Sequence, residues 1–133
     1  MKHTLFRTLV LVIGVALVLS GCASQGKGSA AQAVVNYLKA LAARDLNGMI
    51  AASCADWEAD ARTEYDSFTA VTLELKDLQC QQVGGEGDSA KVTCSGSLIA
   101  NYGAEDLVID IADRPFRAVL QAGEWRMCGY SQE

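Results

Sequence analysis

The clearest structural signal in the chain is VTLELKDLQCQQVGGEGDSAKVTCSGSLIANY, residues 71–102. Apolar and polar residues alternate on both sides of a glycine-rich turn, which is the period of β-strands with one buried face. The alternation slips by one residue after Leu75, and this slip predicts a β-bulge near Lys76 and Asp77. The segment therefore predicts a long antiparallel hairpin whose second strand buries Val92, Cys94, Leu98 and Ala100.

Three shorter strands are predicted after this hairpin, from DLVIDI (106–111), FRAVLQ (116–121) and EWRMCGY (124–130). In the first of them we expect Leu107, Ile109 and Ile111 to face inward, because they share one side of an alternating pattern. Pairing across the last turn predicts one apolar face made of Phe116, Ala118, Leu120, Trp125 and Met127. The opposite face is then made of Arg117, Val119, Arg126, Cys128 and Tyr130.

The residues before the hairpin have the period of amphipathic helices. A first helix from Ala30 has an apolar face of Val34, Tyr37, Leu38 and Leu41. Asp45 is a candidate N-cap for a second helix over 46–53. A third helix over 56–69 has an apolar stripe of Trp57, Ala61, Tyr65 and Phe68, whereas Glu58, Asp60, Arg62, Glu64 and Asp66 are expected to face water. These patterns predict one α+β domain, residues 31–133, with N-terminal helices packed on an antiparallel meander of four or five strands.

The amino-terminal residues have the three parts of a secretory signal. MKHTLFRT (1–8) is basic, and LVLVIGVALVL (9–19) is apolar but shorter than the roughly 20 residues of a membrane span. The residues that end the signal, Ser20 and Gly21, have small side chains. The exit LSGC (19–22) resembles the lipobox of bacterial lipoproteins. The resemblance implies that residues 1–21 are removed and that Cys22 becomes the lipid-bearing first residue. Residues 23–30 are small, polar and glycine-containing, which predicts a flexible tether, so the lipidated Cys22 and its tether together span 22–30. The alternative is an uncleaved amino-terminal helix in which Cys22 is incidental.

Charge and histidine content exclude several functions. The signal contains Lys2 and Arg7, so its loss leaves nine basic against 16 acidic side chains, without any run of basic residues. Such a surface does not suit nucleic acid, and the membrane is expected to be reached only through the lipid on Cys22. His3 is the only histidine and leaves with the signal. We therefore predict no cofactor, no metal site and no histidine-based nucleophile pair.

The remaining cysteines are even in number, which in an exported domain favours disulfides. Cys80 and Cys94 are equidistant from the centre of the GGEGDS turn, so they should lie opposite each other on neighbouring strands. That pairing leaves Cys54 with Cys128. The alternative set, Cys54 with Cys80 and Cys94 with Cys128, stays open because connectivity is not readable from sequence. A metal or redox site is disfavoured because the chain has no C-x-x-C motif.

Two segments carry a family resemblance. VVNYLKALAARDLNGMIAASCADW (34–57) and GEWRMCGY (123–130) resemble the first helices and closing strand of the nuclear-transport-factor-2-like superfamily. The resemblance covers about residues 30–130 and implies a curved sheet wrapped around helices to form a cone with a pocket. Its members include enzymes, such as ketosteroid isomerase and limonene epoxide hydrolase, and binding proteins. CADWEADARTEYDSF (54–68) also resembles a group of uncharacterised bacterial lipoproteins.

No catalytic motif of those enzymes matches this chain, so no catalytic residue is carried over from them. Asp110 and Arg126 are the residue types that an epoxide-hydrolase-like site would need, but we interpret both as solvated charges. Tyr37, Tyr65 and Trp125 are candidates for lining a pocket, with core packing as their default role.

We expect a non-enzymatic binding or accessory domain in the cell envelope. The lipid would hold it on the outer side of the cytoplasmic membrane, or on the outer membrane if the organism has one. Its partner would be a small hydrophobic ligand or another envelope protein. Two alternatives are an acid–base enzyme of ketosteroid-isomerase or epoxide-hydrolase type, which would use a buried carboxylate, and a cystatin-like structural or inhibitory protein, which would show an exposed apolar patch.

Overall fold

The computed structural model describes residues 28–132, and within this range three helices precede the strands. They are α1 (Ala30–Ala42), α2 (Leu46–Ala52) and α3 (Glu58–Ser67), with a 3-10 turn, Ala55–Trp57, before α3. The strands are β1 (Thr72–Glu86), β2 (Ser89–Asn101), β3 (Asp106–Asp110), β4 (Phe116–Gln121) and β5 (Glu124–Tyr130). This order confirms the predicted α+β class. The predicted signal peptide, Cys22 and most of the predicted tether lie outside the described residues.

All five strands belong to one antiparallel sheet in which β2 has three partners. Along one edge β2 pairs with β1 over almost its whole length. Along the other edge its first residues, 89–92, pair with β4, and its last residues, 97–101, pair with β3. A second 3-10 turn, Ile111–Asp113, joins β3 to β4 at the point where β2 changes partner. Strand β5 completes the sheet by pairing with β4.

The bulge predicted in β1 is confirmed. The register of β1 against β2 shifts between Lys76 and Gln79, and Asp77 has a positive φ of 54°. Gly96 lies opposite, with φ 110° and its backbone so close to Lys76 that an added Cβ would stand 2.5 Å from the Lys76 carbonyl oxygen. A glycine is therefore required on β2 where the bulge presses against it.

The first two helices are as predicted. On α1, Val34, Tyr37, Leu38 and Leu41 are all buried against the sheet. The Asp45 side chain accepts a 2.9 Å hydrogen bond from the Gly48 amide at the start of α2, which is N-capping as expected. The third helix is shorter than predicted and only Ala61 of its apolar stripe is fully buried. Trp57, Tyr65 and Phe68 are half-buried, because α3 packs against α2 and contacts the sheet little.

Two predictions about the strands are wrong. Leu107 was expected to face the core, yet it is 50% exposed because no helix covers the end of β3. Tyr130 was assigned to the face opposite Phe116, yet the two residues are directly paired. In β5 two residues lie between Met127 and Tyr130, whereas in β4 only one lies between their partners, Ala118 and Phe116. The extra residue in β5 shifts the register by one. This bulge, with Gly129 at φ 96°, turns the Tyr130 ring towards the helices.

Two disulfides join distant parts of the described chain. Cys80 is bonded to Cys94 across the β1–β2 pair, with Cα atoms 4.0 Å apart. Cys54 is bonded to Cys128, 74 residues later, with Cα atoms 5.2 Å apart. This is the pairing that the sequence favoured. The second bond ties the residue before the 3-10 turn Ala55–Trp57 to β5, where the Cys54 amide also donates to the Met127 carbonyl oxygen at 2.8 Å.

Among residues 28–132, the helices are too short or too polar for any of them to cross a bilayer.

Candidate functional site

A cleft of about 340 Å³ lies between α3 and the β3–β4 side of the sheet, and we call it the α3 cleft. Its existence follows from the packing of α3 against α2, which leaves the adjacent sheet surface uncovered. Most of its wall is apolar and comes from Leu38, Leu41, Phe68, Leu98, Ile109, Ile111 and Phe116. Its polar lining consists of Glu64, Tyr130, Asp110, Asp113 and Arg114.

Glu64 is the centre of a polar network beside this cleft. The Tyr37 hydroxyl donates a short hydrogen bond to Oε2 of Glu64, and the Tyr130 hydroxyl donates to Oε1 at 2.6 Å. The Trp57 indole nitrogen donates to the Tyr37 hydroxyl oxygen at 3.3 Å. We call these four residues the Glu64 network. Every one of their hydrogen bonds is directed towards the carboxylate, which is therefore held by two fixed donors.

The sequence prediction that Glu64 faces water is wrong. Glu64 is half-buried, and it lies on the same side of α3 as Ala61 and Phe68. The physical reason is the burial of Tyr37, whose hydroxyl needs an acceptor inside the protein. One feature of the sequence could have indicated this: Glu64 lies three residues after Ala61 and four before Phe68, so it shares the helix face of the apolar stripe.

Aromatic packing fixes the positions of the network. The Trp57 ring meets the Tyr130 ring edge-on, with centroids 5.7 Å apart, and the Phe116 ring lies 5.3 Å from Tyr130. Gly129 allows this arrangement, because a Cβ there would stand 2.9 Å from Cε3 of Trp57. The hydroxyl of Tyr130 thus reaches Glu64 from a ring held between two aromatic neighbours.

Both tyrosines of the network resist ionisation. Burial raises the pKa of Tyr37 well above its ordinary value of 10, and the nearby charge of Glu64 raises it further. Burial and then Glu64 raise the pKa of Tyr130 in the same way, while the charge of Arg114 acts in the opposite direction. Both groups are therefore neutral hydrogen-bond donors at physiological pH.

These raised pKa values predict a loss of stability in alkali. The tyrosines of the unfolded chain ionise near pH 10, whereas Tyr37 and Tyr130 in the folded chain keep their protons to higher pH. Their contribution to the free energy of unfolding is full below pH 10 and decreases as pH rises through that value. Urea unfolding across this range, with ultraviolet absorbance reporting tyrosinate, measures the effect. The decrease should be smaller in Tyr37→Phe and Tyr130→Phe, and an equal decrease in all three proteins would contradict the assignment.

Comparisons with known proteins bear on the fold. No family model and no curated protein matches the chain. Among solved structures it is similar to a variant of Rv3472, a protein of unknown function from Mycobacterium tuberculosis (TM-score 0.52, 15% identity, 77% of this chain and 74% of that one). It is also similar to a protein provisionally named scytalone dehydratase from Novosphingobium aromaticivorans (TM-score 0.50, 14% identity, 76% and 80%). A protein of unknown function from Pseudomonas putida, named as NTF2-like, matches at TM-score 0.48 with 17% identity, and the match covers 77% of this chain and 82% of that one.

The domain has the nuclear-transport-factor-2-like fold. At these identities the likeness concerns the fold alone, and it agrees with helices packed on one face of a five-stranded antiparallel sheet. The α3 cleft lies on the helix-covered face of that sheet.

The pocket-lining candidates from the sequence lie elsewhere. The Tyr37 ring is fully buried and only its hydroxyl takes part in the Glu64 network. Tyr65 lies 3.9 Å beneath the Arg44 guanidinium, which also donates to the Tyr65 carbonyl oxygen at 2.7 Å. Trp125 lines a separate shallow hollow beside α1 and α2. The α3 cleft is lined instead by Glu64 and Tyr130, which the sequence did not single out.

Asp110 and Arg126 are not brought together. Asp110 is exposed at the rim of the α3 cleft, where its carboxylate accepts a 2.9 Å hydrogen bond from the Ala112 amide. Arg126 lines the Trp125 hollow, donates to the Ala51 carbonyl oxygen and pairs with Glu124 at 2.6 Å. Its side chain is only 27% exposed, so the interpretation of Arg126 as a solvated charge is wrong. Within residues 28–132, no three His, Cys, Asp or Glu side chains are grouped as metal ligands would be.

Proposed function

We propose that this chain is an exported lipoprotein whose domain binds a small, mostly apolar molecule in the α3 cleft. The observation that carries the proposal is the combination of an apolar wall with one fixed polar anchor, the paired Glu64 carboxylate and Tyr130 hydroxyl. Binding sites for small molecules typically join these two features. The volume of about 340 Å³ lies at the lower end of the range of such sites, roughly 300–1,000 Å³, and suits a compact ligand.

The Glu64 network supports binding because it is organised in advance. Tyr37 and Tyr130 each donate to one oxygen of the Glu64 carboxylate, and Trp57 fixes the Tyr37 hydroxyl, so an incoming ligand would not have to order that side chain. Each Glu64 oxygen accepts from one tyrosine, and each has about one further lone-pair site that a ligand donor could use.

Fluorescence of the neutral probe N-phenyl-1-naphthylamine, which brightens in apolar surroundings, tests this proposal on the purified protein. Ile109→Trp fills the α3 cleft. Val108→Trp places the same side chain on the opposite face of β3, where Val108 is 62% exposed. We expect Ile109→Trp to weaken probe binding by about tenfold or more, a change of about 1.4 kcal/mol, and Val108→Trp to leave it unchanged.

A second variant covers the case in which Ile109→Trp fails to fold. Phe68→Ala removes the opposite wall of the α3 cleft and should also weaken probe binding. Equal binding by the wild type and all three variants would rule out the α3 cleft as the binding site.

An acid–base enzyme is the second candidate, and one observation favours it. Glu64 is a half-buried carboxylate that lines the α3 cleft, as such an enzyme would require. Both of its oxygens, however, already accept hydrogen bonds from tyrosine hydroxyls. Binding requires only the apolar wall and the fixed polar anchor already described, whereas proton transfer also requires a free lone pair of Glu64 to be aimed at a substrate proton, so binding is the function that the geometry supports better.

A protein partner or a cystatin-like role has less support from the described surface. On the outer face of the sheet Val108 is exposed and pairs with Ile99, which is half-buried. Glu74, Asp106 and Asp110 lie next to this pair and are all exposed. An apolar surface interrupted so closely by charges is small compared with the patches that mark interaction sites.

The lipid anchor is the other half of the proposal, and it rests on LSGC at residues 19–22. In a bacterial host we expect the mature chain to begin at Cys22 with a mass increased by its acyl groups. Cys22→Ala should remain full-length and carry no lipid. Intact-mass spectrometry of both proteins from membrane fractions makes the comparison. A wild-type chain of unmodified mass that still contains residues 1–21 would contradict the anchor.

A further inference from the structure

We propose that the ligand of the α3 cleft is an organic cation, a compact apolar body that carries a protonated amine. This inference rests on the proposed function and adds the chemical class of the ligand. Its basis is the direction of the hydrogen bonds in the Glu64 network, together with the charges that line the α3 cleft.

The polar anchor presents acceptors and no free donor. The hydrogens of Tyr37 and Tyr130 are both used on Glu64, and the indole hydrogen of Trp57 is used on Tyr37. The Tyr130 oxygen and the Glu64 carboxylate therefore have only lone pairs to offer a ligand. A ligand carbonyl or carboxylate would find no donor in this network, whereas an ammonium group would supply several hydrogens to it.

The charges of the lining favour the same class. Glu64 and Asp113 contribute carboxylates, and Arg114 contributes the one guanidinium among the cleft-lining residues. Glu64 is half-buried, so its attraction for a cation is screened less than that of the exposed groups at the rim. Hydrogen bonds between ionised partners are also about twice as strong as those between neutral groups.

Aromatic rings complete the environment of a cation. Phe116 and Tyr130 both line the α3 cleft, and their ring centroids are 5.3 Å apart. The face of an aromatic ring attracts an ammonium group placed within about 6 Å of its centroid. The lining thus places two aromatic rings beside the Glu64 anchor, and a ring face open to the α3 cleft would add to the attraction for an ammonium group.

Arg114 is the one group that would favour an anion instead. Its guanidinium carbon is 5.7 Å from the Tyr130 centroid, and the side chain is exposed at the rim next to Asp113. Exposed charges of this kind contribute little to binding because solvent and salt screen them. We therefore expect Glu64, and not Arg114, to determine which ligand charge is preferred.

Three probes of matched shape test the inference: benzylammonium, benzyl alcohol and benzoate. Each competes with N-phenyl-1-naphthylamine on the purified protein. We expect benzylammonium to bind about tenfold or more tightly than benzyl alcohol, a difference of about 1.4 kcal/mol, and benzoate to bind most weakly. Glu64→Gln should reduce the benzylammonium affinity to that of benzyl alcohol. Glu58→Gln, on the same helix but outside the α3 cleft, should keep the wild-type order.

The outcomes separate this inference from the proposed function. Equal binding of the three probes, or preferred binding of benzoate, would overturn the cation assignment and leave the α3 cleft as a binding site. Failure of N-phenyl-1-naphthylamine and of all three probes to bind would overturn both. Because the probes are compared on the wild type, the result does not depend on the folding of any variant.

Discussion

Replacing Cys54 and Cys128 together with alanine is expected to lower the free energy of unfolding by about 4 kcal/mol. The disulfide joins residues 74 apart, so its loss frees most of the described chain to expand when unfolded. Both cysteines are also buried in the folded state, and their truncation removes packing between the segment that follows α2 and strand β5. Urea denaturation with circular dichroism measures the change.

The control is the double replacement Cys80→Ala and Cys94→Ala. That disulfide spans only 14 residues, so its removal should cost about 3 kcal/mol, less than removal of the longer loop. A smaller effect from the Cys54–Cys128 pair than from the Cys80–Cys94 pair would contradict the role we assign to the longer connection.

Gly129→Ala is expected to cost about 3 kcal/mol, because it combines two penalties. The residue has φ 96°, where a side chain is strained, and the new Cβ would stand 2.9 Å and 3.0 Å from two atoms of the Trp57 ring. The ring cannot retreat easily, since it packs against Tyr130 and donates to Tyr37. Thermal and urea unfolding of the variant measure the loss.

Gly103→Ala is a matched control for this substitution. Gly103 has nearly the same φ, 93°, but no atom lies within 4 Å of an added Cβ. It should therefore show the backbone penalty alone, about 1 kcal/mol. If the two variants were equally destabilised, the close approach of the Trp57 ring to Gly129 would add nothing to the backbone penalty, which would contradict the role assigned to Gly129.

Local patterns were sufficient to predict much of the fold. Helix α1 has an unbroken apolar face, α2 has a capping Asp45, and the β1–β2 hairpin alternates around a glycine-rich turn. The bulge in β1 was visible because it interrupts that alternation. The bulge in β5 was not visible, because Gly129 leaves no side chain in the pattern and only the register against β4 reveals the extra residue.

The candidate site was harder to predict because its parts are distant in sequence. Tyr37 lies 27 residues from Glu64, and Tyr130 lies 66 residues from it. In the helical pattern Glu64 looks like the other charged residues of α3. What distinguishes it is that the hydroxyls of Tyr37 and Tyr130 use it as their hydrogen-bond acceptor, which the helical pattern does not show. The α3 cleft exists because α3 packs against α2 and contacts the sheet little. An apolar stripe predicts that a helix buries one face, but it does not predict which element covers that face.

The most direct test of the α3 cleft as a ligand site is a methyl nuclear magnetic resonance titration with N-phenyl-1-naphthylamine. Isoleucine side chains report both faces of the sheet. Ile109 and Ile111 line the α3 cleft, whereas Ile99 pairs with Val108 on the outer face. We predict saturable shifts of the Ile109 and Ile111 methyl signals while the Ile99 signal stays fixed. Shifts confined to Ile99, or no saturable shift at Ile109 and Ile111, would contradict the account.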